Sequence, residues 1–179
     1  MRVALRFALA VFVALGAADA TRWLLTQHPN PLELVRDALL ALVGFAVVFF
    51  RRDRFRVLAA LPGSVVVELL YLAVYVSATS WRWEAQDLAK WDLYLIALAR
   101  GFGILLAGRG ERRWIDGFLV AVPVIVVDCL LGAIGTLRAL GQYFTVGDVT
   151  PHLAQMLAWG AVVAVLLPLV AGRQRKPEK

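Results

Sequence analysis

The chain has 179 residues, 61% of them hydrophobic and only 18% charged, with a mean hydropathy of +0.73. These proportions exclude an ordinary water-soluble globule and point to a protein embedded in lipid. A single Cys rules out a disulfide framework, a thiol redox pair and a cysteine metal cluster, and two His leave little scope for haem or a histidine metal site, so no cofactor or metal is expected. The formal net charge is +6, and in such a chain what matters is how it divides between the two membrane faces.

At about 20 residues per crossing helix, the length accommodates five or six spans and no separate soluble domain. Apolar runs predict spans near 5–25, 31–50, 57–78, 91–108, 114–136 and 151–171. The expectation is an all-α membrane protein of six transmembrane helices, with residues 1–172 a single polytopic domain and 173–179 a disordered basic cytoplasmic tail. The first span also imitates a secretory signal: Arg2 and Arg6 precede an apolar stretch at 7–16, and Ala18-Asp19-Ala20 reads as a cleavage site. Cleavage would leave five spans and the same cytoplasmic loops, and the sequence leaves both readings open. Ala10, Ala14 and Ala18 make a small-residue stripe suited to close helix contact. Asp19 with Arg22, and Glu33 with Arg36, stand three apart and predict interfacial pairs.

The second span has a readable start, with Asn30 as cap, Pro31 at the first helical position and Glu33 three residues after the cap. Pro62-Gly63, Pro123 and Pro168 predict kinks or local unwinding inside spans. His28 and His152 fall in loops or helix starts and read as surface residues.

With a cytoplasmic N-terminus, the inner face collects Arg2, Arg6, Arg51, Arg52, Arg54, Arg56, Arg109, Arg112, Arg113, Arg173, Arg175, Lys176 and Lys179. That is thirteen of the nineteen basic residues. The outer face holds Arg22, Arg36, Arg82, Lys90 and Arg138, and Arg100 falls within a span. The excess of inner Lys and Arg places both termini in the cytoplasm. Trp23, Trp81, Trp83 and Trp91 then lie at the outer interface, with Phe49, Phe50, Phe55 and Trp114 at the inner one. Direct nucleic-acid binding is not expected, because loops of about six residues cannot form a groove-reading element.

An offset of 55–61 residues aligns the second and third spans with the fourth and fifth. Asp37 falls on Asp92, Gly44-Phe45 on Gly101-Phe102, Arg52 on Arg109, Pro62 on Pro123, and Glu68 within one residue of Asp128. This is the pattern of a parallel hairpin duplication, although any two apolar hairpins with a basic inner loop share much of it. The same counting sets Glu68, Arg100 and Asp128 at similar depth, within a layer of roughly 5 Å at 1.5 Å per residue. An isolated charge there costs about 2.5–3.5 kcal/mol, so pairing of Arg100 with one or both acids is expected. Such a charged layer reads either as a structural clamp for the third, fourth and fifth helices or as a proton, ion or substrate site. No Ser/His dyad, H-E-x-x-H or paired Asp motif is present, so an enzyme is not expected.

In layout the chain resembles the rod shape-determining MreD family of small bacterial inner-membrane proteins. The likeness rests on size, six spans with short loops, Asn30-Pro31 at the second span, Gly63 and Glu68 in the third, Asp128 in the fifth, and Pro168 before a basic tail. It implies a non-enzymatic scaffold in cell-shape maintenance and peptidoglycan elongation, with an MreC-like protein and elongation synthases as partners. The outline is also similar to the S-components of energy-coupling-factor vitamin transporters, which dock on a transmembrane subunit through an Ala-x-x-x-Ala face. Ala10, Ala14 and Ala18 would supply that face, and Trp81, Trp83, Glu84 and Asp87 a lid.

Overall fold

The structure is a computed structural model and describes residues 1–27, 29–50, 52–79, 91–109, 122–123, 126–127, 130 and 146–171. Five helices account for most of them: α1 (Arg2–Thr26), α2 (Leu32–Phe49), α3 (Asp53–Thr79), α4 (Trp91–Arg109) and α5 (Val146–Ala171). No strand occurs among the described residues. Each helix coincides with a predicted span to within a few residues at either end. Most of the predicted 114–136 span, including Asp128, lies outside the described residues.

By length and composition, two helical stretches suffice to cross a membrane, Arg2–Thr21 and Asp53–Ala78; Leu93–Gly108 and Leu157–Val170 are shorter apolar stretches. Helix α2 has 18 residues but carries Glu33, Arg36 and Asp37 near its start, which breaks its apolar run. Those charges point inward: Glu33, Arg36 and Asp37 are all buried, as are Asp19 of α1 and Glu68 of α3. Large apolar side chains point outward instead, among them Leu9, Leu42, Leu58, Val66, Leu70 and Leu169. Water would penalise that inversion and a lipid surround tolerates it.

Helix α1 packs between α2 and α5, α2 packs on α3, and α3 on α4, with α2 also reaching α4. One apolar cluster runs through all five helices, including Phe7 and Val11 of α1, Val43 and Val47 of α2, Ala60 of α3, Ile104 of α4 and Leu167 of α5. Small residues let the backbones approach. A side chain at Gly101 would meet the Ala60 carbonyl oxygen and Ser64 Oγ, the latter at 2.8 Å, and one at Gly108 would meet Val47 Cγ1 at 2.7 Å. Ala10, Ala14 and Ala18 are each 0% exposed, so their stripe is spent on contacts within the chain.

Pro62 and Pro168 do not unwind their helices. Pro62 lies inside α3, which remains helical from Asp53 to Thr79, and Pro168 lies inside α5, helical from Val146 to Ala171. Each proline removes one N–H from its ladder, but neither helix is broken there. A Cβ at Gly63 would be in ordinary contact with Val43 of α2, at 3.4 Å.

Candidate functional site

The interior of the bundle holds two ion-paired groups. The first lies between α3 and α4, where Arg100 Nη1 donates to Glu68 Oε1. The equal depth of these two residues in the sequence reading corresponds to a direct contact. Asp128, the third residue of that expected layer, lies outside the described residues. Ser64 stands one helical turn before Glu68 and is wholly buried.

The second group joins α1, α2 and α3. Because α1 and α2 are antiparallel across a short turn, Asp19, seven residues before the end of α1, lies level with Arg36, four residues after the start of α2. Arg36 Nη2 donates to Asp19 Oδ2 at 2.5 Å and to Asp37 Oδ1 at 3.2 Å, and Arg36 Nε lies 3.4 Å from the same Asp37 oxygen. The guanidinium carbon sits 5.3 Å from the centre of the Tyr71 ring, a cation–π placement from α3. Tyr71 in turn accepts a hydrogen bond from Asn30 Nδ2 at 2.9 Å. Three helices thus converge on one guanidinium.

Asn30 Oδ1 also accepts from the Leu32 backbone N–H at 3.3 Å, the capping role expected of it. The helix, however, starts at Leu32 with Pro31 as its cap residue. Glu33 does not simply complete a capping box: its Oε2 accepts from the Trp23 indole at 2.7 Å. Trp23, expected as an interfacial anchor, is therefore also a strap between α1 and α2.

Across the α1–α2 contact, Arg36 has a partner beyond the i, i+3 residue expected for it. Arg36 donates to Asp19 and Asp37, and Glu33 acts on it electrostatically. The partner shown for Asp19 is Arg36, and the Arg22 side chain lies outside the described residues. Inside a bundle, a neighbouring helix presents charge at shorter range than the next turn of the same helix does, and that is not visible in one-dimensional spacing. The signal that was available is the density of ionisable residues in α2, three within five positions, which is costly in a lipid-embedded helix unless another helix answers it.

The charge of Arg100 also acts on Asp37, and the two groups together draw on α1, α2, α3 and α4. Among the described residues, Asp37 Oδ2, Ser64 Oγ and Trp159 Nε1 are buried without a hydrogen-bond partner. No set of three His, Cys, Asp or Glu suited to a metal occurs among the described residues. His28 lies outside them, and His152 is a residue of α5. A cleft of about 570 Å³ at the other end of the bundle is lined by Met1, Val3, Ala4, Val48, Phe49, Arg56 and Gly108, well away from the charged layer.

Comparison of the chain with protein-family models, with curated proteins and with solved structures gives no match. The functional reading therefore rests on the charged layer and on the surfaces around it.

Proposed function

We propose that this chain is a non-enzymatic, multi-pass scaffold of the bacterial inner membrane. On this reading it has six spans with both termini in the cytoplasm, and it serves cell-shape maintenance and peptidoglycan elongation in the manner of the MreD family. One observation carries it: Arg36 and Arg100 are each paired with acids from a neighbouring helix, while the outward faces of the helices are apolar. Interior charges that pair with one another fix how helices pack, as buried polar groups do when they specify a register. Apolar outer faces suit lateral contact with other membrane proteins through shape and small residues. Solute uptake as an S-component would need the Ala10, Ala14 and Ala18 face free for docking, and its complete burial weighs against that alternative.

Affinity purification of the tagged full chain in mild detergent, after cross-linking in cells, tests the proposal. An MreC-like protein and elongation synthases should co-purify, and depletion of the chain should turn rods into spheres. Recovery of an ATPase-coupled transmembrane subunit instead, with unchanged cell shape, would overturn the scaffold in favour of solute uptake.

A further inference from the structure

Asp19 and Asp37 stand on different helices yet reach the same nitrogen. Arg36 Nη2 lies 2.5 Å from Asp19 Oδ2 and 3.2 Å from Asp37 Oδ1, so two carboxyl groups crowd a single nitrogen. Ionised carboxylates offer only lone pairs, and the single charge of Arg36 offsets one of the two, so a second buried negative charge stays uncompensated unless one carboxyl carries a hydrogen. A second observation is independent of the first. Asp37 is 0% exposed, its Oδ1 is taken by Arg36, and its Oδ2 has no hydrogen-bond partner among the described residues. A buried anionic oxygen is costly to hold unless a donor meets it.

The surroundings are those of a shared acid pair. From α2 itself come Arg36 and, one turn earlier, Glu33, which acts on Arg36. From α1 comes Asp19. From α3 the Tyr71 ring covers the guanidinium, and Glu68 stands behind Arg100. From α4 comes Arg100 itself, whose charge reaches Asp37.

We propose that Asp19 and Asp37 together bind one proton, making the contact between α1 and α2 a proton-binding site inside the bundle. One O–H bond forms on a carboxyl oxygen at the expense of hydronium or water, and no other bond changes. Arg36 then faces one negative charge, and the three-residue group is neutral. Asp19 lies seven residues before Thr26, and Asp37 five after Leu32. At 1.5 Å per residue the pair is therefore roughly 10 Å from the turn at 27–31, and Glu33 and Asn30 lie between it and that end. Loss of the proton leaves two adjacent carboxylates, whose repulsion loosens α1 from α2. The acidity at that face is thereby coupled to how these two helices pack. This inference stands apart from the scaffold reading and holds or fails without it.

The purified full chain in detergent provides the test, with Asp19→Asn, Asp37→Asn and the double substitution. Asparagine reproduces the shape and neutrality of a protonated aspartate. Either single variant should fold with an unfolding temperature close to that of the wild type, whereas the double variant, which strips Arg36 of its carboxylate, should unfold far earlier. Infrared difference spectra of wild type against each single variant should show a carboxylic C=O band, shifted in D₂O, that both substitutions remove. Three results would each overturn the site: no such band in the difference spectra, a single variant destabilised as much as the double, or a single variant that does not fold.

Discussion

At the scale of single residues, the pairing of Arg100 with Glu68 yields a prediction about coupling. Arg100→Leu leaves the buried Glu68 carboxylate without its partner across the α3–α4 contact, and breaking a buried pair by removing one member costs about 3–5 kcal/mol. Removing both members with Arg100→Leu and Glu68→Leu leaves neutral packing, and the double variant should recover most of that loss. Folded yield and unfolding temperature in detergent measure it, and strictly additive losses would show that the contact does not couple the two helices. A milder change tests the other group: Tyr71→Phe removes the acceptor of the Asn30 amide and should cost about 1 kcal/mol. It should leave the ring over Arg36 in place.

The sequence made the first of these contacts legible and hid the second. Glu68 and Arg100 interrupt long apolar runs, so counting residues from the helix ends puts them at one depth, and the cost of an isolated charge supplies the pairing. Asp19, Arg36 and Asp37 sit nearer the helix ends, where spacing on a single helix offers cheap partners such as Arg22 and Glu33. Nothing in that spacing tells that α1 and α2 turn these faces toward each other.

Among elements, the decisive positions are glycines at helix crossings. Gly101 of α4 lies against the α3 backbone, so that a methyl group there would meet the Ala60 carbonyl oxygen and Ser64 Oγ. Since a backbone carbonyl cannot rotate aside, Gly101→Ala should separate α3 from α4 and cost about 1–3 kcal/mol, the usual range for overpacking. Gly16→Ala is the control: its methyl would meet only Leu34 Cδ2, at an ordinary 3.4 Å. There the gain in helix propensity, up to about 1 kcal/mol, should leave stability unchanged or raised. Thermal unfolding of the two variants side by side checks both signs, and equal behaviour would mean that the α3–α4 approach is looser than the structure has it. Gly44 aligns with Gly101 in the apparent hairpin repeat. Their neighbours differ, however: Gly44 faces Phe7 and Val11 of α1, and Gly101 faces α3. Helix extents were readable because apolar runs and turn residues are local properties. The continuity of α3 through Pro62 was not, because a proline's missing N–H allows a helix either to continue or to break.

For the molecule as a whole, hydrophobicity reported which stretches become helical and charge predicts a direction, but neither reported which helices touch. Lateral order depends on shape and on small residues, as in the placement of α1 between α2 and α5, and these leave no periodic trace in a chain that is apolar on nearly every face. The proposed six-span topology turns on the direction given by charge. Thirteen of the nineteen Lys and Arg fall on one side if the N-terminus is cytoplasmic, and loops rich in Lys and Arg stay on the cytoplasmic side during insertion. Five crossings then separate the turn at 27–31 from Lys179. A reporter active only in the cytoplasm should therefore be silent in that turn and active after Lys179, and a periplasmic reporter should give the reverse. Replacing Arg51, Arg52, Arg54 and Arg56 by Asn removes four of the thirteen inner charges and should yield a mixed population at Lys179, because the bias that holds the α2–α3 turn inside is weakened. If both sites report the same compartment in the unsubstituted chain, an even number of crossings lies between them. The six-span scaffold is then wrong whatever its partners prove to be.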